Sequence, residues 1–264
     1  MMKQETPAAI PYSNRFQDSA DVEAYESEEY SSTSYSSCIW RLQQPVLTAV
    51  LTQFGARQQG QSLRLLDFAC GSGRILSVIE GLVGNATGVD ISAGMAEVAR
   101  KKCKKAEVRV GDILQQRELL QGPYDVITSF RFLLNVESDL RHKALRRLRE
   151  VIRTPDGLLV VNVHGNSGSL RHPAIWWKQR QKKSAPAAPG AATLMLNEMS
   201  LAETRALLAD SGFEIVQMLG FGILPPTLYR TPLRGLARMI DQFCAKRQWF
   251  TRWSVDLMFV CRPK

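Results

Sequence analysis

An apolar run that leads into a glycine-rich turn is the part of the sequence best suited to chemistry. The run covers residues 65–68 and contains one acid, Asp67. The turn that follows consists of Ala69, Cys70, Gly71, Ser72 and Gly73. Glycine adopts left-handed backbone conformations at little cost and lets a ligand approach the chain closely. Because the helical pattern after the turn offers free N–H groups to an anion, the segment predicts a nucleotide-type site at the end of a parallel strand.

Two common nucleotide motifs do not match this turn. A dinucleotide fingerprint places a small residue three positions after its second glycine. Leu76 stands at that position here. A phosphate-binding loop of the Walker type needs Gly-Lys followed by Ser or Thr, which the turn lacks. The spacing therefore argues against an NAD site and against a Walker-type site.

Two further acids follow the next two predicted strands. Asp90 ends an apolar run, where a carboxylate can accept hydrogen bonds from both hydroxyls of a ribose. The alternative is that Asp90 only caps the following helix, although Ser92 could do that capping instead. Asp112 precedes Ile113 just after the third strand, where an acid and a backbone N–H could meet the amine and a ring nitrogen of an adenine.

These acids need a parallel sheet to bring them to one edge. Short apolar runs predict seven strands, at residues 63–69, 86–91, 107–110, 124–129, 158–164, 213–220 and 254–261. Helical patterns lie at about residues 40–54, 140–152 and 200–211, and Ser200 and Glu203 have the spacing of a capping box. We therefore expect an α/β fold. Its core would be a Rossmann-like, doubly wound and mostly parallel seven-stranded sheet with helices on both faces and N-terminal lid helices.

One domain of residues 38–264 accounts for the pattern, because 264 residues are ordinary for a single α/β domain. Residues 1–37 form an acidic leader rich in Tyr and Ser. This leader either frays or orders as a lid over a bound ligand. Two segments, residues 166–199 and 221–253, interrupt the alternation of strands and helices and are here called the first and second excursions. We expect them to build the acceptor pocket or a cap over it.

The second excursion contains an amphipathic helical pattern. Its apolar residues fall on one stripe, formed by Leu233, Leu236, Met239, Ile240 and Phe243. The basic residues that flank the stripe are Arg230, Arg234, Arg238, Lys246 and Arg247. We expect the stripe to pack over the active site. The alternative is that it docks on anionic lipid.

The charge of the chain is uneven. The net charge is +9 overall, and residues 1–30 carry two basic residues against seven acids. A basic body of this kind could attract nucleic acid, anionic lipid or an acidic small molecule.

Five widely spaced cysteines without a C-x-x-C pair argue against a disulfide framework and a zinc site, and a reducing cytoplasm is the expected location. No acidic or histidine cluster gathers at the strand ends, so we predict no metal.

The order of these motifs resembles that of the class I S-adenosylmethionine-dependent methyltransferases. The resemblance rests on the glycine turn and on the segments 90–95, 111–112, 124–129 and 158–164 that follow it in order. It covers residues 63–164 well and continues more loosely to the last strand. Two positions depart from the usual pattern. Ala69 replaces a more frequent glycine, and Asn135 stands where many relatives carry His.

The resemblance implies S-adenosylmethionine as the cofactor and a role for each motif. Asp67 and the turn at residues 69–73 would surround its methionine end, and Asp90 would hold the ribose. Side chains near the adenine and the transferable methyl would be Ile91, Met95, Asp112, Ile113 and Ser129. Arg41 is a candidate for the cofactor carboxylate. His164 is a candidate general base, and Arg131 is a candidate to bind the acidic group of an acceptor.

The implied activity is methyl transfer to an O or N atom of a small molecule, acidic or lipophilic. The Asn/Asp-Pro-Pro-Tyr/Phe run of enzymes that methylate base amines or glutamine amides is replaced by residues 129–132, Ser-Phe-Arg-Phe, which disfavours nucleic acid. The lysine-rich run at residues 101–105 lies at a predicted helix C-terminus, where positive charges interact favourably with the helix dipole, so it need not be a nucleic-acid patch. Two alternatives stay open. One is an RNA or protein methyltransferase that uses the basic surface, and the other is a non-catalytic S-adenosylmethionine-binding protein.

Overall fold

The computed structural model describes residues 22, 27, 31, 34–58, 61–174, 177, 198–245 and 247–264, with the side chains of Arg230 and Gln248 excepted. Most of the leader, including Tyr25 and Tyr30, lies outside the described residues. So does most of the first excursion, together with Lys246 of the basic flank.

Seven strands form a single sheet. Their bounds are β1 Arg64–Phe68, β2 Asn85–Asp90, β3 Glu107–Val110, β4 Val126–Ser129, β5 Leu158–Val163, β6 Phe213–Phe221 and β7 Asp256–Pro263. The strand order is β3-β2-β1-β4-β5-β7-β6. The first five strands pair in parallel, while β7 runs antiparallel to both β5 and β6. The predicted mostly parallel, seven-stranded sheet is therefore confirmed.

Seven α-helices lie wholly within the described residues. Their bounds are α1 Tyr35–Arg57, α2 Leu76–Ile79, α3 Ala93–Lys102, α4 Ser138–Val151, α5 Leu201–Asp210, α6 Arg234–Ala245 and α7 Gln248–Thr251. No helix of the described residues is long and apolar enough to cross a membrane.

Apolar residues on the central strands alternate between two hydrophobic clusters. On β5, Val160 belongs to the cluster that includes Leu42 and Leu51 of α1, whereas Val161 belongs to the one that includes Leu145 of α4. All six residues of β5 are buried because helices cover both faces. The predicted coverage on both faces is therefore confirmed.

Helix α1 begins at Tyr35, earlier than the apolar pattern from residue 40 indicates. The side chain of Ser34 caps it and accepts a hydrogen bond from the backbone N–H of Ser37 at 3.1 Å. The first turn contains polar serines, which conceal the helical period. The boundary predicted after residue 37 therefore falls inside a helix.

The capping box of α5 is present as predicted. The Ser200 hydroxyl accepts a hydrogen bond from the backbone N–H of Glu203, and the Glu203 carboxylate accepts one from the N–H of Ser200. The basic run at 101–105 lies where the chain leaves α3 for β3. The Glu80 carboxylate accepts hydrogen bonds from three backbone N–H groups there, those of Lys104, Lys105 and Ala106.

Helix α6 corrects one expectation. The expected inward packing of the apolar stripe is wrong, because all five of its side chains are between 40% and 65% exposed. The residues of α6 that pack inward are Ala237, Asp241, Cys244 and Ala245. Small side chains let the helix approach the sheet closely, so the large apolar ones point elsewhere.

Candidate active site

The glycine turn after β1 holds three residues in the left-handed region. Ala69 has φ 54°, Gly71 φ 55° and Gly73 φ 74°. A residue with a Cβ costs about 1–2 kcal/mol in this region, so Ala69 adopts a conformation that a glycine would adopt more readily. A Cβ on Gly73 would lie 3.0 Å from the Cβ of Ala99 on α3, whereas one on Gly71 would meet only Met95 Sδ, at 3.9 Å. The backbone at Gly71 is therefore approachable.

Asp90 fastens this turn to the end of β2. Its Oδ2 accepts a hydrogen bond from the backbone N–H of Gly71 at 2.7 Å, and its Oδ1 accepts one from that of Ser92 at 2.9 Å. The N-terminal cap of α3 is instead the side chain of Ser92, which accepts a hydrogen bond from Met95 N at 3.0 Å. Burial raises the pKa of the Asp90 carboxyl. The interpretation that Asp90 only caps the helix is therefore wrong.

A cavity of about 280 Å³ opens beside β2 and β3, and we call it the β2–β3 cavity. Five of the predicted cofactor residues line it, namely Ala69, Asp90, Ile91, Asp112 and Ile113. Phe68 and Phe132 contribute apolar wall, with their ring centroids 4.7 Å apart. An apolar slot with carboxylates at its rim suits a nucleoside, which has a flat base and a polar sugar.

Asp67 and Ser129 end two neighbouring strands behind the turn and are both buried. Thr128 donates a hydrogen bond to Asp67 Oδ1 at 2.6 Å. Within the described part of the chain, Asp67 Oδ2 and Ser129 Oγ are buried without a hydrogen-bond partner. Burial raises the pKa of the Asp67 carboxyl to about 7, although Thr128 and the charge of Arg74 both lower it. Buried polar atoms of this kind indicate a missing ligand group.

A second cavity, of about 370 Å³, lies between α1 and the ends of β4 and β5, and we call it the β4–β5 cavity. The residues that line it from α1 include Tyr35, Ile39 and Gln43. Arg74 of the glycine turn also reaches it, whereas Ala69 of the same turn lines the β2–β3 cavity. The turn therefore stands between the two cavities.

Asp256 lies in the wall of the β4–β5 cavity and is missing from the sequence-based predictions. The side-chain amides of Gln43, at 2.6 Å, and Asn162 both donate to its Oδ1. No described residue donates to its Oδ2. Burial raises the pKa of the Asp256 carboxyl to about 6, against the hydrogen bond from Asn162 and the charge of Arg131. One signal was available, since Asp256 is the single acid in the apolar run 254–261.

The two predicted catalytic candidates, His164 and Arg131, both line the β4–β5 cavity. Burial and the positive charge of Arg131 lower the pKa of His164 well below its usual value. His164 is therefore neutral and a weak base at neutral pH. Arg131 has φ 60° and donates a hydrogen bond to the Ser36 hydroxyl at 3.1 Å.

Several predicted residues lie elsewhere. Arg41 is exposed on α1 and lines neither cavity. The arginine that lies beside the turn is Arg74, whose guanidinium stacks 5.0 Å from the ring centroid of Trp40. Met95 packs with Val98 against Val22, a buried residue of the leader. No group of three or more metal-binding side chains lies together among the residues described. No disulfide joins any of the five cysteines.

Residues 39–218, more than half of the chain, match the sequence profile of a methyltransferase domain family. The chain belongs to this family. A protein of Geobacillus sp. (strain WCH70) named as a methyltransferase is 34% identical over 121 residues, which cover 43% of this chain. The match covers 46% of that relative, so the chain spans slightly less than half its length.

Solved methyltransferases have the same fold at low sequence identity. The magnesium protoporphyrin IX methyltransferase ChlM of Synechocystis PCC 6803, crystallised with S-adenosylmethionine, is 16% identical with a TM-score of 0.58. That alignment covers 98% of this chain and 100% of ChlM. The plantazolicin methyltransferase BamL, crystallised with S-adenosylhomocysteine and a substrate analogue, is 13% identical with a TM-score of 0.58. It covers 92% of this chain and 90% of BamL.

The cofactor of this class I methyltransferase domain is S-adenosylmethionine, and the residues present fit it. The β2–β3 cavity matches the adenosine in size and polarity. The unpartnered Asp67 Oδ2 provides a carboxylate oxygen for an ammonium group, and Gly71 leaves its backbone accessible. These features distinguish the turn from a structural loop, which would leave no buried carboxylate oxygen unsatisfied.

Proposed function

We propose that the protein transfers a methyl group from S-adenosylmethionine to an O or N atom of a small-molecule acceptor. The observation that carries this proposal is the pair of cavities on either side of the glycine turn. One suits adenosine, and the other contains buried polar groups that a cofactor does not need.

The chain's own residues hold the cofactor in this proposal. Each oxygen of Asp90 already accepts one backbone N–H and has a further lone pair for a ribose hydroxyl. Ile91 flanks the adenine, while Asp112 and Ile113 meet its polar edge. Asp67 and residues 69–73 surround the methionine end, and Ser129 lies near the methyl group. The bound cofactor supplies a methyl group already activated by its sulfonium charge, so positioning carries much of the rate.

Asp256 is the general base in this proposal. Its Oδ2 has no donor among the described residues, whereas the amides of Gln43 and Asn162 hold Oδ1 and fix the carboxylate. A pKa of about 6 keeps most of this group ionised at neutral pH. The carboxylate takes the proton from the acceptor O–H or N–H as the new bond to carbon forms. The neutral His164 nearby lines the cavity, and its buried Nδ1 has no hydrogen-bond partner among the described residues.

The acceptor carries a negative group in this proposal. Arg131 and Arg171 line the β4–β5 cavity, and Arg171 donates a hydrogen bond to the Tyr35 hydroxyl at 2.8 Å. Guanidinium groups bind carboxylates and phosphates through paired donors. Glu198 of the same cavity lies with its Oε2 2.7 Å from His172 Nδ1, so the cavity contains the acids Glu198 and Asp256 as well as the arginines. A small acidic molecule fits this distribution of charge.

Val22 of the leader is fully buried and packs against Met95 and Val98 of α3, next to the glycine turn. In this proposal the Val22 side chain shields the cofactor side from water, as closing segments do in other enzymes.

Calorimetric titration with S-adenosylmethionine and S-adenosylhomocysteine tests the proposal. We expect both to bind the wild type, and Asp90→Ala to weaken binding by at least about tenfold because it removes the ribose contact and releases Gly71 N. Asp139→Ala, which alters an exposed acid on α4, is the matched control and should bind as the wild type does.

Mass spectrometry of acceptor mixtures then distinguishes the classes of substrate. A gain of one methyl group on a small acidic molecule supports the proposal. Methylation of RNA or protein alone, or cofactor binding without any transfer, would contradict it.

A further inference from the structure

Helix α6 presents an apolar surface to solvent. The stripe formed by Leu233, Leu236, Met239, Ile240 and Phe243 continues onto Trp249 of α7, and these six side chains, 40–66% exposed, are here called the α6 face. Large apolar side chains that are contiguous and exposed mark an interaction site more often than isolated ones do.

The position of the α6 face is fixed by the opposite side of the helix. Asp241 is fully buried and accepts hydrogen bonds from the backbone N–H groups of Gly222, at 3.1 Å, and Ile223, at 3.3 Å. The Tyr229 hydroxyl also donates to it. Because this anchor orients the helix, the α6 face cannot turn inward without breaking a buried network.

The segment that contains the α6 face is strongly basic in sequence. Residues 221–253 contain six basic residues and a single acid, the buried Asp241. The guanidinium of Arg247 lies 3.5 Å from the ring centroid of Phe243, and that of Arg252 lies 4.9 Å from that of Trp249. Apolar side chains bordered by arginines, with a tryptophan at the rim, are typical of helices that lie in a membrane interface.

We infer that the α6 face docks this protein on the surface of a bilayer that contains anionic lipid. The apolar side chains enter the boundary between headgroups and acyl chains, and the arginines bind the anionic headgroups. A second copy of the chain would bring the same positive charge to the contact, which disfavours a symmetric dimer through this face. The inference does not depend on the proposed methyl transfer, since it concerns only this surface.

Flotation of the full chain with lipid vesicles tests the inference. We expect binding to vesicles of phosphatidylcholine mixed with phosphatidylglycerol, and much weaker binding to phosphatidylcholine alone. Met239→Asp with Phe243→Asp should weaken binding by at least about tenfold, since two large apolar side chains no longer leave water and two negative charges face the anionic headgroups. The control is Val216→Asp, an apolar residue on β6 that is 47% exposed and distant in sequence. It should bind as the wild type does.

A second pair of variants tests how much the positive charge of the arginines contributes to vesicle binding. Arg234→Gln with Arg238→Gln should lower binding by about tenfold or more, because two positive charges are removed from beside the anionic headgroups. Arg262→Gln, on the exposed part of β7, should leave binding unchanged.

Three results would overturn the inference. They are absence of wild-type binding to anionic vesicles, equal loss in the Val216→Asp control, and a wild-type dimer that Met239→Asp with Phe243→Asp converts to monomers without vesicle binding. Thermal unfolding of each variant confirms that the chain is folded, and cofactor titration measures the other site independently. A protein that binds vesicles but no cofactor would keep this inference and contradict the proposed function.

Discussion

The two cavities at the sheet edge differ in how far apart in sequence their walls lie. All the residues that line the β2–β3 cavity fall between Phe68 and Ala144, and most lie at the end of a strand or within five residues after it. The β4–β5 cavity combines residues from Ser34 to Asp256. In the proposed assignment, the cofactor cavity is therefore encoded in local motifs, whereas the acceptor cavity exists only after distant segments have met. Variants of the two cavities should separate cofactor binding from methyl transfer.

Gly71→Val should have the largest effect. Valine at φ 55° is strained, and its side chain occupies the space through which a ligand reaches the turn. We expect cofactor affinity to fall by more than about 100-fold and activity to be lost with it. Gly81→Val is the control, because a Cβ at Gly81 meets nothing within 4 Å. Cofactor binding by folded Gly71→Val at wild-type strength would contradict the assignment of the turn.

Asp256→Asn should separate the rate of methyl transfer from cofactor affinity more clearly than any other variant. Removing a general base lowers the rate by about 100-fold or more, and cofactor affinity should change less than about twofold because the β2–β3 cavity is untouched. In the wild type, kcat/KM should rise with pH through about 6 as the carboxyl loses its proton, and the variant should lack this rise. If His164→Gln rather than Asp256→Asn abolished the rise, the base would be His164.

Asp67→Asn should alter the pH dependence of cofactor binding. Below pH 7 the wild-type carboxyl is mostly protonated and has lost its attraction for an ammonium group, so affinity should fall by up to about tenfold per pH unit. Titration of the variant should show a smaller slope.

The raised pKa of Asp67 has a second consequence, for stability. The folded chain holds this proton more tightly than the unfolded chain, whose carboxyl titrates near 3.8. The stabilising contribution of the Asp67 carboxyl to the free energy of unfolding is therefore full at low pH. This contribution is lost as pH rises from about 4 to about 7. Chemical denaturation of the wild type and Asp67→Asn across this range measures that difference.

Arg41→Ala should have the smallest effect. Its side chain is exposed and lines neither cavity, so cofactor affinity should stay within about twofold of the wild type. Arg74→Ala is the informative partner, since Arg74 lies at the turn and should lose affinity. A larger loss in Arg41→Ala would restore the role that the family resemblance implied.

The sequence was sufficient for the features that depend on near neighbours. The strands, the glycine turn and the capping box at Ser200 each follow from residues within a few positions of one another. Asp256 was missed because its partners Gln43 and Asn162 are far away in the chain, and no periodic pattern connects them. The stripe on α6 was assigned correctly to one helical face, but the period of a pattern does not reveal which face the sheet covers. Asp241, the buried anchor, decides that orientation.

The stack of Arg74 on Trp40 joins the glycine turn to α1, which forms one wall of the β4–β5 cavity. Arg74 itself lines that cavity, so a ligand that displaced Arg74 from Trp40 would alter both the turn and α1. Thermodynamic linkage would then require reciprocity, so that an acceptor changes the affinity for the cofactor by the same factor as the cofactor changes the affinity for the acceptor. This cation–π contact is thus a physical connection through which ligands in two separate cavities would change each other's affinity.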